Sequence, residues 1–115
     1  MENYTNLKQS KKLAEILPLE SADRYYNPRP SNEIPCVGNA NTALLQVPCW
    51  SLTTLLKYLS QIKPRVYTPV LFPSEGKWTL QFTEYGHGNV CEVSCDNLID
   101  TCYEMIIKLH ELKML

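Results

Sequence analysis

The stretch KWTLQFTEYGHGNVCEVSC, residues 77–95, decides the fold. Its first half alternates apolar and polar side chains: Trp78, Thr79, Leu80, Gln81, Phe82 and Thr83. Because successive side chains of a strand point to opposite faces, this alternation predicts a strand with one buried face and one wet face. Gly86–Gly88 indicates a tight turn. Asn89–Cys95 then predicts a second strand, with Cys91, Val93 and Cys95 on one face.

A third strand precedes these two. Val66–Phe72 is rich in β-branched and aromatic residues, and the turn sequence Pro73–Gly76 follows it. Pro69 has no N–H to offer a neighbouring strand, so we expect this strand at a sheet edge. Short turns between consecutive strands predict a three-stranded antiparallel meander over about residues 66–95.

Three amphipathic segments flank the meander, over about residues 5–17, 51–62 and 97–113. Thr5 and Ser51 can cap the first two helices, and Asp96 or Asn97 can cap the third. A sheet with one apolar face must be covered. We therefore predict an α+β fold in which these helices pack on the meander.

Residues 27–48 differ in composition from the rest of the chain. Four prolines lie in this segment: Pro28, Pro30, Pro35 and Pro48. Proline fixes φ and removes a hydrogen-bond donor, so we expect an irregular segment that wraps the domain or acts as a linker. Ser21–Tyr26, just before it, is expected to form a short helical turn. The length of 115 residues fits a single domain, residues 1–115.

Charge and hydropathy restrict the partners. Eleven Lys and Arg residues nearly balance twelve Asp and Glu residues, and the basic ones are scattered, which disfavours a nucleic-acid partner. No apolar run approaches the roughly 20 residues that span a bilayer. The N-terminal residues also lack the pattern of a secretory signal. We therefore expect a cytoplasmic protein with no membrane partner and with its five cysteines as free thiols.

Cys91, Cys95 and Cys102 raise the question of a metal site, since His87 and His110 lie near them in the sequence. Structural zinc usually takes repeated Cys pairs that are about two to four residues apart, and only one pair here fits, loosely. All three thiols fall on predicted apolar faces, where cysteine packs as a small hydrophobe. We predict no metal and no cofactor, with these thiols in the core.

Cys49 is the one candidate catalytic residue. It precedes the helix predicted from Ser51, where the helix dipole lowers the pKa of a thiol. A nucleophilic cysteine also needs a base, and neither His87 nor His110 is close in sequence. Packing beside Trp50 is the favoured interpretation. The alternative is a small-molecule binder or thiol-dependent enzyme with a pocket formed by Trp50 and the tyrosines.

Three parts of the chain carry a resemblance. They are Val47–Leu52 with its leucine-rich helix, the C-terminal helix Asp100–Leu112, and the beginning with Tyr4-Thr5 and Ser21–Asp23. Together they resemble a group of small uncharacterised proteins of gut Bacteroides genomes, prophages and mobile elements, over most of the chain outside the proline-rich segment. The resemblance implies a bacterial or phage-derived intracellular setting. It implies no known activity and therefore assigns no catalytic residues.

The sequence favours a non-enzymatic protein-interaction or accessory protein. The edge strand near Val66–Phe72 offers unpaired backbone groups, and the proline-rich segment could dock on another protein or on a second copy of the chain. Two alternatives stay open. One is the binder or enzyme that uses Cys49, and the other is a nucleic-acid-associated accessory protein, suggested by the mobile-element setting alone.

Overall fold

The computed structural model describes residues 3–28 and 34–115. Within them lie three α-helices and six β-strands. The chain divides into two compact units, residues 1–54 and 55–115, each described by itself below. In the described ranges, every helix is too short or too polar to cross a membrane.

The first unit contains a small three-stranded sheet. Its helix α1 spans Leu7–Leu13, and its strands are β1 (Arg24–Tyr26), β2 (Cys36–Val37) and β3 (Val47–Cys49). The strand order is β2-β1-β3, with antiparallel pairing on both sides of β1. Helix α1 packs against β3.

The structure differs from two expectations in this region. The helical turn expected over Ser21–Tyr26 is wrong for most of its length. A single helical turn ends at Ser21, and Arg24–Tyr26 form strand β1 because they pair with β2 and β3. Residues 34–48 of the proline-rich segment hold β2, a further single turn and the start of β3. Positions 29–33 lie outside the described residues. Pro48 is tolerated in β3 because that strand is at the sheet edge, where a missing N–H costs no ladder bond.

Helix α1 begins two residues later than expected, and its cap is Asn6. The Asn6 Oδ1 accepts the Gln9 N–H at 2.8 Å, and the Gln9 side-chain oxygen accepts the Asn6 N–H at 3.0 Å. This reciprocal capping box satisfies two backbone donors that the first turn leaves free. The prediction of Thr5 as the cap is therefore wrong.

Thr5 lies instead at the centre of a buried polar cluster. Its hydroxyl oxygen is 2.8 Å from Ser10 Oγ and accepts the Trp50 N–H at 3.2 Å. Its carbonyl accepts the Tyr26 hydroxyl at 2.8 Å and the Cys49 thiol at 3.3 Å. Buried polar groups need such partners, so one threonine ties together α1, β1 and β3.

Helix α2, Leu52–Ser60, begins at the cap that the sequence predicts. The Ser51 hydroxyl accepts the Thr54 N–H at 3.3 Å. The Ser51 N–H in turn donates to Asp23 Oδ1 at 2.9 Å. Partial burial raises the pKa of Asp23, but hydrogen bonds from Ser51, from Thr54 and from the Asp23 backbone together outweigh it and leave that pKa below its usual value. The carboxylate therefore stays charged as it holds the start of the helix.

The second unit contains the predicted meander. Strands β4 (Tyr67–Ser74), β5 (Lys77–Glu84) and β6 (Gly88–Cys95) lie in the order β4-β5-β6, antiparallel throughout. Helix α3, Leu98–Glu111, starts at Asn97, whose Oδ1 accepts the Asp100 N–H at 2.8 Å. The predicted α+β class with antiparallel strands is confirmed.

Helix α3 packs on one face of this sheet, against β5 and β6. The buried apolar residues of the sheet and helix include Leu80, Phe82, Ile99, Cys102, Met105, Ile106 and Leu109. Along β5 and β6 the other face is polar, as the alternation predicts, although Thr79 is buried there. Its hydroxyl is 2.7 Å from Ser94 Oγ, so a cross-strand hydrogen bond takes the place of water.

Candidate functional site

A groove of about 440 Å³ runs between strand β6 and helix α3. Residues 92–95 of β6 form one wall. The other wall is a stripe of α3 side chains at spacings of three, four and seven residues: Glu104, Ile107, Lys108 and Glu111. These spacings place side chains on one face of a helix. The groove therefore has a backbone wall and a largely charged wall.

The direction of the backbone groups in β4 follows from one hydrogen bond. The Tyr85 N–H donates to the Val66 carbonyl at 2.8 Å, just before the first β4–β5 pair. Along β4 the pairing with β5 has no shift in register. Hydrogen-bonded and non-hydrogen-bonded pairs alternate in an antiparallel ladder, so even-numbered β4 residues bond to β5. Odd-numbered β4 residues face the open edge.

The same alternation identifies the free groups of β6. Even-numbered β5 residues bond to β6, and their partners from Trp78 to Phe82 are Cys95, Val93 and Cys91. Glu92 and Ser94 therefore turn their N–H and carbonyl groups away from β5, toward the groove. The Lys108 ammonium agrees with this assignment, because it donates to the Glu92 carbonyl at 3.1 Å.

Strand β4 is the edge strand that Pro69 predicts, but its open side is poor in donors. Pro69 and Pro73 are both odd-numbered and so turn their nitrogens, which carry no hydrogen, to the open edge. The Tyr67 N–H is already used by the Lys63 carbonyl at 2.9 Å. Leu71 is the remaining outward donor of this strand. An incoming strand would thus find few donors on β4, whereas β6 carries no proline.

Two carboxylates give the helix wall of the groove its charge. Glu104 and Glu111 are exposed, and within residues 3–28 and 34–115 neither has a basic side chain at ion-pair distance. Ile107 lies between them and is partly buried. Burial raises the pKa of the Cys95 thiol, and nearby carboxylates, Glu104 among them, raise it further. Glu104, Asp100 and Asp96 thus bring negative charge near the Cys95 end of the groove.

Cys49, the sequence candidate for a nucleophile, is fully buried in strand β3. Its thiol donates to the Thr5 carbonyl at 3.3 Å and accepts from the Thr5 hydroxyl at 3.5 Å. Burial raises the pKa of Cys49, which keeps the sulfur protonated at neutral pH. Burial outweighs any helix-dipole effect here, and this geometry supports a packing role.

Cys91 and Cys102 are buried in the apolar layer between α3 and the sheet, as predicted, whereas Cys95, which was also predicted to lie in the core, is only partly buried and lines the groove. The Cys91 thiol is 3.4 Å from the sulfur of Met105. Cys102 is fully buried, and this desolvation raises its pKa to about 12. His87 lies in the exposed turn before β6, and His110 is exposed near the end of α3. Among the residues that the structure describes, no group of three His, Cys, Asp or Glu side chains is placed to hold a metal ion.

The groove is not among the features predicted from the sequence, although two signals in the sequence point to it. Pro69 and Pro73 are both odd-numbered and so lie on the same side of the strand, which predicts that the open side of β4 lacks N–H donors. In addition, Glu104, Ile107, Lys108 and Glu111 form a mostly polar stripe alongside the apolar stripe of α3. Neither signal can be placed beside β6 without the strand order and the hydrogen-bond pattern.

Comparison with known proteins adds nothing to the description of this groove. No protein-family model, no curated protein and no solved structure matches the chain.

Proposed function

We propose that the chain is a non-enzymatic protein-interaction module that binds an extended segment of another protein by strand addition at β6. The observation that carries the proposal is the outward direction of the Glu92 and Ser94 backbone groups. A segment laid along β6 would pair with these groups and extend the sheet by one strand. We propose a bacterial or phage-derived cytoplasmic setting from the sequence resemblance.

The surroundings of β6 suit this role better than those of β4. An added strand needs donors as well as acceptors along the open edge, and prolines remove two donors from β4. On β6 the wall formed by α3 also gives a bound segment side-chain contacts on one face. Main-chain hydrogen bonds then supply affinity, and the helix wall supplies selectivity. We therefore propose β6 as the site of strand addition, in place of the edge strand Val66–Phe72 favoured by the sequence.

Substitution of Ser94 tests the proposal, because the nitrogen of this residue faces outward. Ser94→Pro removes one N–H from the open edge and leaves the β5–β6 ladder bonds in place. Random peptides of roughly ten residues, long enough for a strand of average length, are selected by phage display on the full chain. We expect Ser94→Pro to weaken the selected peptides by more than about tenfold, measured by fluorescence anisotropy.

The matched control is Ser94→Ala, which loses the same hydroxyl contact with Thr79 but keeps the N–H. Its affinity should stay near that of the unchanged chain. Circular dichroism establishes that both variants are folded. If Ser94→Pro does not fold, protection of the Ser94 amide from exchange on peptide addition replaces it as the readout. Equal binding to both variants, no protection, or no enriched peptide contradicts strand addition at β6.

A further inference from the structure

We infer that the segment bound at β6 carries two basic side chains four residues apart, with an apolar residue midway between them. This inference rests on the proposed strand addition and specifies its partner. The occupant is thus an extended Lys- or Arg-containing segment of another protein.

Glu104 and Glu111 supply the negative charge of the helix wall. Both are exposed on the groove wall and, within the described ranges, have no ion-pair partner. Lys108 lies between them in sequence, but its ammonium is at the Glu92 carbonyl. The wall therefore offers two carboxylates to a ligand. Basic side chains complement them, and acidic side chains would be repelled.

The spacing of the wall matches an extended chain. Glu104 and Glu111 are seven residues apart, which is about 10.5 Å along a helix at about 1.5 Å per residue. In a strand, side chains four residues apart share a face and lie roughly 13 Å apart. Long Lys and Arg side chains can take up the difference of a few ångströms. The residue midway between them falls near Ile107, where an apolar side chain fits.

In the free chain, Lys108 already occupies one hydrogen-bonding position on the open edge of β6. Its ammonium donates to the Glu92 carbonyl, one of the acceptors that an incoming N–H needs. Binding must displace this contact. The released ammonium also lowers the negative charge of the wall. Removing the charge of Lys108 should therefore strengthen the binding of a basic segment.

A second copy of the chain fits this edge less well. If two β6 strands paired antiparallel into one continuous sheet, the two-fold axis would stand perpendicular to the sheet. Both α3 helices would then lie on the same face and flank the new pair of strands. The Glu104 and Glu111 carboxylates of the two copies would approach each other, and like charges at an interface are unfavourable. Charge thus selects a basic segment over self-association.

The test uses a fluorescein-labelled peptide with the core Lys-Thr-Val-Thr-Lys, together with peptides in which both lysines are Gln or Glu. We expect the full chain to bind the Lys peptide best and the Glu peptide least. The double variant Glu104→Gln/Glu111→Gln should bind the Lys peptide about threefold to tenfold more weakly and the Gln peptide unchanged. Added salt should reduce the difference, since exposed charges are screened. Lys108→Gln should bind the Lys peptide more tightly.

Glu75→Gln is the matched control, because Glu75 is exposed in the β4–β5 turn and outside the groove. It should leave all three affinities unchanged. If the three peptides bind equally but Ser94→Pro abolishes their binding, the basic preference is overturned and strand addition stands. If none binds, or if Ser94→Pro has no effect, both proposals fail. A dimer in light scattering with the Ser94 amide already protected would overturn the basic segment in favour of a second copy.

Discussion

Replacing Thr5 by valine should lower the free energy of unfolding by about 2–3 kcal/mol, because it removes a hydroxyl but keeps the shape of the side chain. The Thr5 hydroxyl accepts the buried Trp50 N–H and lies at hydrogen-bond distance from Ser10 Oγ. Valine leaves that N–H buried without a partner, and such a group costs about 1–3 kcal/mol. The hydroxyl of Ser10 loses its shorter contact as well. A urea titration followed by circular dichroism measures the change.

The matched control for this prediction is Thr53→Val. Thr53 is exposed on α2, so the same chemical change there breaks no buried hydrogen bond. We expect its effect to stay within about 0.5 kcal/mol. Equal stability of Thr5→Val and Thr53→Val would show that the Thr5 cluster does not hold the first unit together.

Phe82→Ala should destabilise the second unit by about 3–5 kcal/mol. Phe82 is fully buried on the apolar face of β5, and its ring centroid is 5.3 Å from that of Tyr67 in β4. Truncation removes the buried ring, leaves a cavity that the surrounding side chains fill only in part, and breaks the aromatic pair. Folded domains have total stabilities of roughly 5–15 kcal/mol, so this variant should unfold far more readily in urea.

Tyr85→Ala provides the comparison for Phe82→Ala. Tyr85 is also aromatic and follows the same strand, but it is 88 % exposed. Its removal should change the urea midpoint little. If Phe82→Ala were no more destabilising than Tyr85→Ala, the alternation from Trp78 to Phe82 would not describe the core of the second unit.

The meander could be predicted because its information is local. Leu80 and Phe82 are separated by polar residues, and turn sequences bound each strand, so both the type and the pairing of the strands follow from short-range pattern. Strands β1 and β2 have three and two residues, too few to show a period. They exist because each pairs with a segment distant in the chain.

The caps show where local reasoning ends. Thr5 and Asn6 are both residue types that cap helices, with asparagine favoured over threonine by a small margin. The tertiary structure decides, because burial assigns the Thr5 hydroxyl to Trp50 and leaves Asn6 to pair with Gln9. By contrast, Ser51 caps α2 as predicted, and of the two candidates for the cap of α3, Asp96 and Asn97, the structure uses Asn97.

The groove depends on information that a sequence pattern does not hold. A shift of one residue in strand register would exchange the inward and outward backbone groups of β6, and would turn Pro69 toward β5. The sequence gives the alternation of side chains but not which pairs are hydrogen-bonded. The direction of the Glu92 and Ser94 groups therefore becomes visible only once the Tyr85–Val66 bond and the pairing are known.

Amide hydrogen exchange, resolved by residue with NMR in the absence of any peptide, reports directly on whether the edge of β6 is open. With an open edge, we expect the Cys91, Val93 and Cys95 amides, bonded to β5, to exchange on the order of a hundredfold more slowly than those of Glu92 and Ser94. The reverse order, or equal protection of all five amides, would contradict an open edge at β6.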